Sequence, residues 1–104
     1  MANEVKFGTT NVASAGTAIQ LQSSTDKTRK VKVITLSAPG ANTGNIYFGD
    51  SAVSSTNCLE IIKGNDPYRH VFKRPISADT FYADAGTNGD DLGWLIEYLS
   101  LIHI

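Results

Sequence analysis

The residue types closest to a catalytic pair in this sequence are the single cysteine, Cys58, and the nearer of two histidines, His70. A thiolate activated by an imidazole can attack a carbonyl carbon when a third group orients the imidazole. The sequence offers no such third group. A free cysteine more often behaves as a small apolar residue, so we expect a semi-buried thiol unrelated to His70. We therefore predict no catalytic residue and a protein that is not an enzyme.

Four aspartates, Asp79, Asp84, Asp90 and Asp91, stand close together in the last third of the chain. Loop carboxylates can bind Ca²⁺, but their spacing here does not match a calcium-binding loop. The two histidines lack a metal-ligand spacing, and the cysteine has no cysteine partner. Aspartate also favours turns because it hydrogen-bonds nearby backbone. The sequence thus predicts turns in this region, with no metal and no cofactor.

The only dense run of cationic residues consists of Lys27, Arg29, Lys30 and Lys32. Such a run could contact phosphate groups. A net charge of -1 argues against a strongly cationic nucleic-acid-binding protein, and the run lacks nearby aromatic residues on which bases could stack. Lysines also keep exposed strand edges from pairing with other chains. We therefore expect a solvated strand edge here and no nucleic-acid partner.

The chain of 104 residues reads as short β-rich runs separated by turn residues. No stretch of ten residues shows clean helical periodicity, and the turn signals predict seven or eight strands. This pattern is typical of an all-β antiparallel sandwich or barrel, and we predict a jelly-roll-like β-sandwich built as a single domain over residues 1–104. The predicted strands cover residues 5–7, 18–21, 31–37, 46–48, 59–62, 68–73, 80–83 and about 93–101.

Several details of these elements are open. Residues 1–28 form either two weak strands or an extended, partly ordered arm. The Asn88-Gly89 pair predicts a hairpin that joins the last two strands, and Arg74-Pro75 predicts the end of the strand before it. Helical spacing of Leu95, Leu99 and Ile102 leaves a helix as the alternative for the last element.

The large aromatic residues of the predicted strands could stack on sugars if they were exposed. In a sandwich of this size they are more often core or inter-subunit residues. They are Tyr47, Phe48, Phe72, Phe81, Tyr82, Trp94 and Tyr98.

The segment Leu99-Ser100-Leu101-Ile102-His103-Ile104 is unusually apolar for its position at the end of the sequence. A partner subunit can bury such a segment by strand addition or hydrophobic contact, and association also supplements a thin core. We therefore expect a homo-oligomer whose inter-subunit contacts include Leu99, Leu101, Ile102 and Ile104.

Targeting signals and membrane spans are not evident in the sequence. The first residues lack a cationic region followed by an apolar one, and no apolar run approaches the ~20 residues that span a bilayer. A lone cysteine cannot form an internal disulfide. We expect synthesis in a cytoplasm and no membrane partner.

The stretch from Asn42 to Asn57, which reads NTGNIYFGDSAVSSTN, resembles a pattern of small virion proteins of tailed phages. In that pattern a strand ending in Tyr-x-Gly leads into Asp-Ser and a polar loop. The similarity continues through Phe81-Tyr82-Ala83-Asp84-Ala85-Gly86 and covers about residues 31–99.

This resemblance implies a non-enzymatic β-sandwich on the outer capsid surface. It implies a cement or decoration protein that binds the phage major capsid protein, with a head or tail fibre module for host-surface glycan as the alternative. Such proteins are often homotrimers. The motif residues it implies are structural: Gly44 and Gly49 for unusual backbone angles, Asp50 and Asn57 for loop hydrogen bonds, and Tyr47 for packing.

Overall fold

A computed structural model of the protein describes residues 4–21 and 29–99. These residues form eight strands in two antiparallel sheets of four strands each. A short 3-10 turn at Ala78–Thr80 precedes the seventh strand. The strands are β1 (Glu4–Val12), β2 (Ile19–Gln20), β3 (Lys30–Ser37), β4 (Ile46–Gly49), β5 (Leu59–Ile61), β6 (Tyr68–Ser77), β7 (Tyr82–Ala85) and β8 (Asp90–Tyr98).

The strand order is β1-β8-β3-β6 in one sheet and β2-β7-β4-β5 in the other. The first strand thus pairs with the last, the second with the seventh, the third with the sixth and the fourth with the fifth. This nesting is the topology of a jelly roll. The predicted all-β antiparallel sandwich is confirmed, and we call the sheets sheet A (with β8) and sheet B (with β7).

Alternation along β8 builds the centre of the core. Leu92, Trp94, Ile96 and Tyr98 point between the sheets and are buried, whereas the residues between them point outward. Strand β8 lies between β1 and β3, so both of its edges are hydrogen-bonded. A period of two is what a strand with one buried face requires. The residues from Leu95 to Tyr98 are therefore strand, not helix.

The predicted Asn88-Gly89 hairpin is wrong. Strands β7 and β8 belong to different sheets, so this turn carries the chain across the sandwich. Gly89 has φ 85° and its N–H donates to the Val12 carbonyl at 2.8 Å. The Asn11 amide donates to the Gly89 carbonyl at 2.8 Å. These contacts with the end of β1 hold the turn in its crossing position.

The end of β6 differs from the predicted one because β6 is an edge strand. It continues through Arg74-Pro75 to Ser77, although proline was expected to end it. Strand β3 has a register shift between Val31 and Val33, and no residue of β3 is paired with Pro75. An edge strand tolerates proline where no ladder hydrogen bond is needed.

Two weak strands and a partly ordered arm were the alternatives for residues 1–28, and the described residues 4–21 form two strands. Strand β1 pairs with β8 over nine residues, from Glu4 to Val12. Residues 1–3 and 22–28 lie outside the described residues, and Lys27 lies among them. The described residues contain no helix that is long and apolar enough to cross a membrane.

The expectation that the cationic run marks a strand edge is wrong for its described part. Lys30 opens β3, which is hydrogen-bonded to β8 on one side and β6 on the other. Lys30 and Lys32 are exposed on an interior strand. The Arg29 guanidinium lies over the Tyr98 ring, 4.4 Å from its centroid.

Candidate interaction surfaces

An apolar groove opens between β6, the edge of sheet A, and β5, the edge of sheet B. It has a volume of about 280 Å³, and we call it the aromatic groove. The groove exists because the two edges are not bridged by a further strand among the described residues. It is lined by Ile34, Phe48, Gly49, Leu59, Tyr68, His70, Phe72 and Phe81.

A continuous series of rings forms the floor of the aromatic groove. The Tyr68 and His70 rings stack with centroids 6.4 Å apart, and His70 meets Phe72 edge-on at 4.7 Å. Phe72 then contacts Phe81 at 5.5 Å, and Phe81 stacks on Phe48 at 5.6 Å. Such contacts stabilise aromatic clusters beyond simple burial, so this surface is preorganised.

The mouth of the aromatic groove is open to solvent. Leu59 is 42% exposed on one rim and Tyr68 is 41% exposed on the other. The one side-chain hydrogen bond described in the groove joins the Tyr68 hydroxyl and His70 Nδ1 at 3.5 Å. An aliphatic chain suits this surface better than a polar ligand, because it replaces water that contacts mostly carbon.

A second apolar surface lies on the outer face of sheet A, and we call it the outer patch. Phe7 is 73% exposed, Val5 is 47% exposed, and Val71 is 49% exposed. The register places Phe7 opposite Leu95 of β8, and Val33 opposite Val71 of β6. The outer patch comprises Val5, Phe7, Leu95 and Val71. Glu97 lies between Val5 and Val33, and Thr35 lies beside Leu95, so polar residues separate Val71 from the other three. Large exposed apolar patches commonly mark contact sites.

A cleft of about 440 Å³ with a mixed polar and apolar lining lies on the outer face of sheet B. Tyr47 and Asp84 face each other across β4 and β7 and form its floor. Ser54 and Ser55 line the wall made by the loop after β4. We call it the Tyr47 cleft; a phenol ring beside serine hydroxyl groups can bind a polyhydroxylated ligand.

The buried aspartates serve backbone hydrogen bonding. The Asp90 carboxylate accepts from the Thr43 N–H at 2.9 Å and the Gly44 N–H at 2.8 Å. Asp84 Oδ1 accepts from the N–H groups of Gly16 and Ala85. Residues 4–21 and 29–99 contain no group of three histidine, cysteine, aspartate or glutamate side chains arranged to hold a metal.

Cys58 and His70 are not joined by a hydrogen bond. The Cys58 thiol is exposed, not semi-buried as expected, and lies 3.9 Å from the Ser55 carbonyl. Partial desolvation, and then the negative charge of Glu60, raise the pKa of the Cys58 thiol. A raised pKa lowers the thiolate fraction at neutral pH, which is the opposite of nucleophile activation.

The motif residues lie in three places: Gly44 in the loop before β4, Tyr47 and Gly49 in β4, and Asp50 and Asn57 in the loop that follows it. Asp50 Oδ1 accepts from the Ala52 N–H at 2.9 Å, and the Asn57 amide donates to the Ala52 carbonyl at 3.2 Å. Gly44 and Gly49 do not have positive φ, contrary to expectation. Gly49 instead allows close packing, since a Cβ there would lie 3.2 Å from Val53.

The aromatic residues proposed as sugar platforms have different environments. Trp94 is 8% exposed, and its Nε1 donates to the Thr10 hydroxyl at 3.0 Å. Tyr98, Phe48 and Phe81 are also buried. Tyr82 and Tyr47 are half-buried. Trp94 therefore cannot offer a ring face to a glycan without leaving the core.

Of the predicted inter-subunit residues, only Leu99 is described. It is 38% exposed, and its N–H donates to the Lys30 carbonyl at 2.8 Å. Leu101, Ile102 and Ile104 lie outside the described residues.

The sequence analysis did not predict any residue of the outer patch, nor Leu59, Tyr68 and His70 as residues of the aromatic groove. Alternation along residues 68–72 does indicate that Tyr68, His70 and Phe72 share a face. Nothing in the sequence shows that this face borders an open edge. That requires the strand order.

Comparison with known proteins found no matching family model and no matching curated protein. Among solved structures, the chain is similar to one from work describing Bacillus endospore appendages as a novel family of disulfide-linked pili. The TM-score is 0.52 at 15% identity, and the match covers 95% of this chain and 90% of that chain. At this identity the likeness concerns the fold alone.

Proposed function

We propose that the protein is a phage virion structural protein of the cement or decoration type. It binds the outer surface of the capsid lattice through the major capsid protein, as a homo-oligomer that is most simply a trimer. It is made in the host cytoplasm and acts in the virion by contact alone, without catalysis.

The observation that carries this proposal is the outer patch. A protein whose task is to fold and catalyse has no need of a phenylalanine that is 73% exposed on the outer face of an edge strand, β1. Phe7 and Leu95 are register partners on β1 and β8, and Val5 lies two residues from Phe7 on the same face, so these three apolar side chains lie together at the β1 edge of the sheet. Docking against a capsid subunit removes these side chains from water.

Several copies of the outer patch acting together can bind a capsid more strongly than one copy. One small apolar patch binds weakly on its own, because association costs translational and rotational freedom. A symmetric oligomer that engages several capsid subunits at once gains avidity from the linked contacts. This accounts for particle stabilisation by a protein whose individual contact surface is modest.

Binding to capsids tests the proposal. Purified protein is mixed with expanded capsids of the phage that encodes it, and co-sedimentation is measured against protein concentration. We expect saturation at a fixed ratio to the capsid subunit and weaker binding of Phe7→Ser. Ile62→Ser, at an exposed position in the loop after β5, is the matched control and should bind normally. Absence of binding by the unchanged protein contradicts the proposal.

The likeness to a structure from work on disulfide-linked pili concerns the fold alone, and disulfide linkage is not part of this proposal. This chain has one cysteine, so disulfides can join copies in pairs and cannot by themselves link a continuous filament. The raised pKa of the Cys58 thiol further slows disulfide formation.

The alternative function, a fibre module that attaches to host-surface glycan, is favoured by the Tyr47 cleft and not by the buried Trp94. Glycan-array binding that is lost on Tyr47→Ala supports it. Tyr82→Ala, on the same sheet but outside the cleft, is the matched control. If the unchanged protein binds no glycan on the array, this alternative is contradicted.

A further inference from the structure

We infer that the aromatic groove of one copy receives the apolar segment of residues 99–104 from a second copy. This inference rests on the proposed function, since it specifies how copies of the chain join. The groove and the segment are at different places in the fold, so the contact is head-to-tail. Such a contact closes into a ring or continues as a filament.

The acceptor has the two properties that strand addition requires. Both rims, β5 and β6, are edge strands, and neither has a β-partner on its outer side among the described residues. The free backbone groups of β6 can hydrogen-bond an added strand. The ring floor, from Tyr68 through His70 to Phe72, supplies apolar contacts for its side chains.

The donor is suited to that surface by composition. Four of its six residues are leucine or isoleucine, and none is lysine, arginine, aspartate or glutamate. In an extended conformation, Ile102 and Ile104 share one side of the segment. Leu99, where the segment begins, is exposed.

Geometry directs the segment to another copy and not to its own groove. Strands β8 and β6 both run antiparallel to β3, so they point the same way. The chain leaves β8 beside Lys30, which is paired with Ser77 at the far end of β6 from Tyr68. Five residues beyond Leu99 extend at most roughly 17 Å. To reach Phe72 in its own groove, the segment would have to turn back along β6 past five residues, at ~3.3 Å per residue. That distance takes up its whole length, so no residue is left to pair with β6 beside the groove.

Charge argues against the simplest competing contact, in which two β6 edges pair with each other. Strand β6 carries Arg69, Lys73 and Arg74, all exposed, and contains no acidic residue. Like charges facing each other across paired strands are destabilising. The segment of residues 99–104 avoids this repulsion because it has no lysine or arginine.

Two full-length variants test the inference by complementation. Leu59→Lys places a charge at the mouth of the groove, and Ile102→Asp places one in the donor segment. Molar mass in solution is measured by light scattering. We expect an oligomer for the unchanged protein, a monomer for each variant alone, and a dimer for their equimolar mixture. The mixture contains one intact groove and one intact donor, so assembly stops at the pair.

The control for the groove is Ile62→Lys, which changes a residue of similar exposure (43%) outside the groove and should leave the mass unchanged. Thermal unfolding verifies that each variant is folded, and Tyr68→Lys replaces Leu59→Lys if that variant is not.

The inference is overturned if the variants keep the full mass of the oligomer or if their mixture stays monomeric; neither result contradicts oligomer formation or capsid binding. An unchanged protein that is monomeric yet binds capsids also overturns it. Failure to bind capsids instead contradicts the proposed function.

Discussion

The indole of Trp94 covers the backbone of Gly8. A Cβ added at Gly8 would lie 2.2 Å from Trp94 Cζ2, closer than any side-chain contact allows. Gly8 and Trp94 are register partners in β1 and β8, so the ring lies flat over the neighbouring strand. This contact joins the first strand of the jelly roll to the last and fixes the edge of the sheet that carries the outer patch.

Gly8→Ala should therefore destabilise the protein by about 1–3 kcal/mol, because the buried indole or strand β1 must move. Denaturant unfolding followed by the fluorescence of the single tryptophan measures the loss. Gly93→Ala is the matched control, since a Cβ there would lie an ordinary 3.5 Å from the Ser37 carbonyl. Equal stability of the two variants would show that the indole does not constrain β1.

Thr10→Val should cost about 2 kcal/mol of unfolding free energy. The Thr10 hydroxyl accepts from Trp94 Nε1 and donates to the Leu21 carbonyl, both at 3.0 Å and both buried. Valine keeps the shape but leaves both groups without a partner. Thr9→Val, one residue along and exposed, should change stability by less than about 0.5 kcal/mol. Thermal unfolding compares them, and a neutral Thr10→Val would contradict this role.

Asp90→Ala should lower the unfolding free energy by about 2–3 kcal/mol, because two backbone N–H groups in the loop before β4 lose a charged acceptor. Asp91→Ala removes one exposed hydrogen bond, to the Asn11 amide, and should cost less than about 1 kcal/mol. Urea unfolding ranks the two variants. The reverse ranking would mean that Asp90 does not organise this loop.

Glu60→Gln should speed alkylation of Cys58 at slightly alkaline pH. The carboxylate contributes to the raised pKa of the thiol, so removing its charge lowers that pKa and increases the thiolate fraction. Rates of reaction with a maleimide, measured across pH, report the change. Glu97→Gln, on the opposite sheet, is the control and should leave the rate unchanged. An unaltered rate for Glu60→Gln would exclude this electrostatic effect.

The strands were predictable where side-chain type and alternation act locally. Residues 31–37 and 46–48 are β-branched or aromatic runs ended by turn residues, and they form β3 and β4 with small changes at the ends. The burial of Trp94 and Tyr98 agrees with the period of two in β8.

The pairing partner of the strand after a turn was not predictable from the turn residues. Asn88-Gly89 predicts a reversal, and Gly89 does reverse the chain, but whether the next strand pairs with β7 depends on distant partners. Val12 and Asn11, far away in sequence, hold that turn. In the same way, Pro75 ends a strand only if a backbone N–H is needed there, and at the edge of sheet A it is not.

Local residue chemistry thus determined that this chain forms short strands with one apolar face, because alternation and turn propensity act over a few residues. Tertiary structure alone decided which strands became edges, and so which apolar side chains stayed in water. Phe72 is half-buried beside an open rim, whereas Ile34, on the neighbouring strand, is buried. The difference arises because the burial of a side chain depends on the elements packed against its face, and those elements come from strands far apart in the sequence.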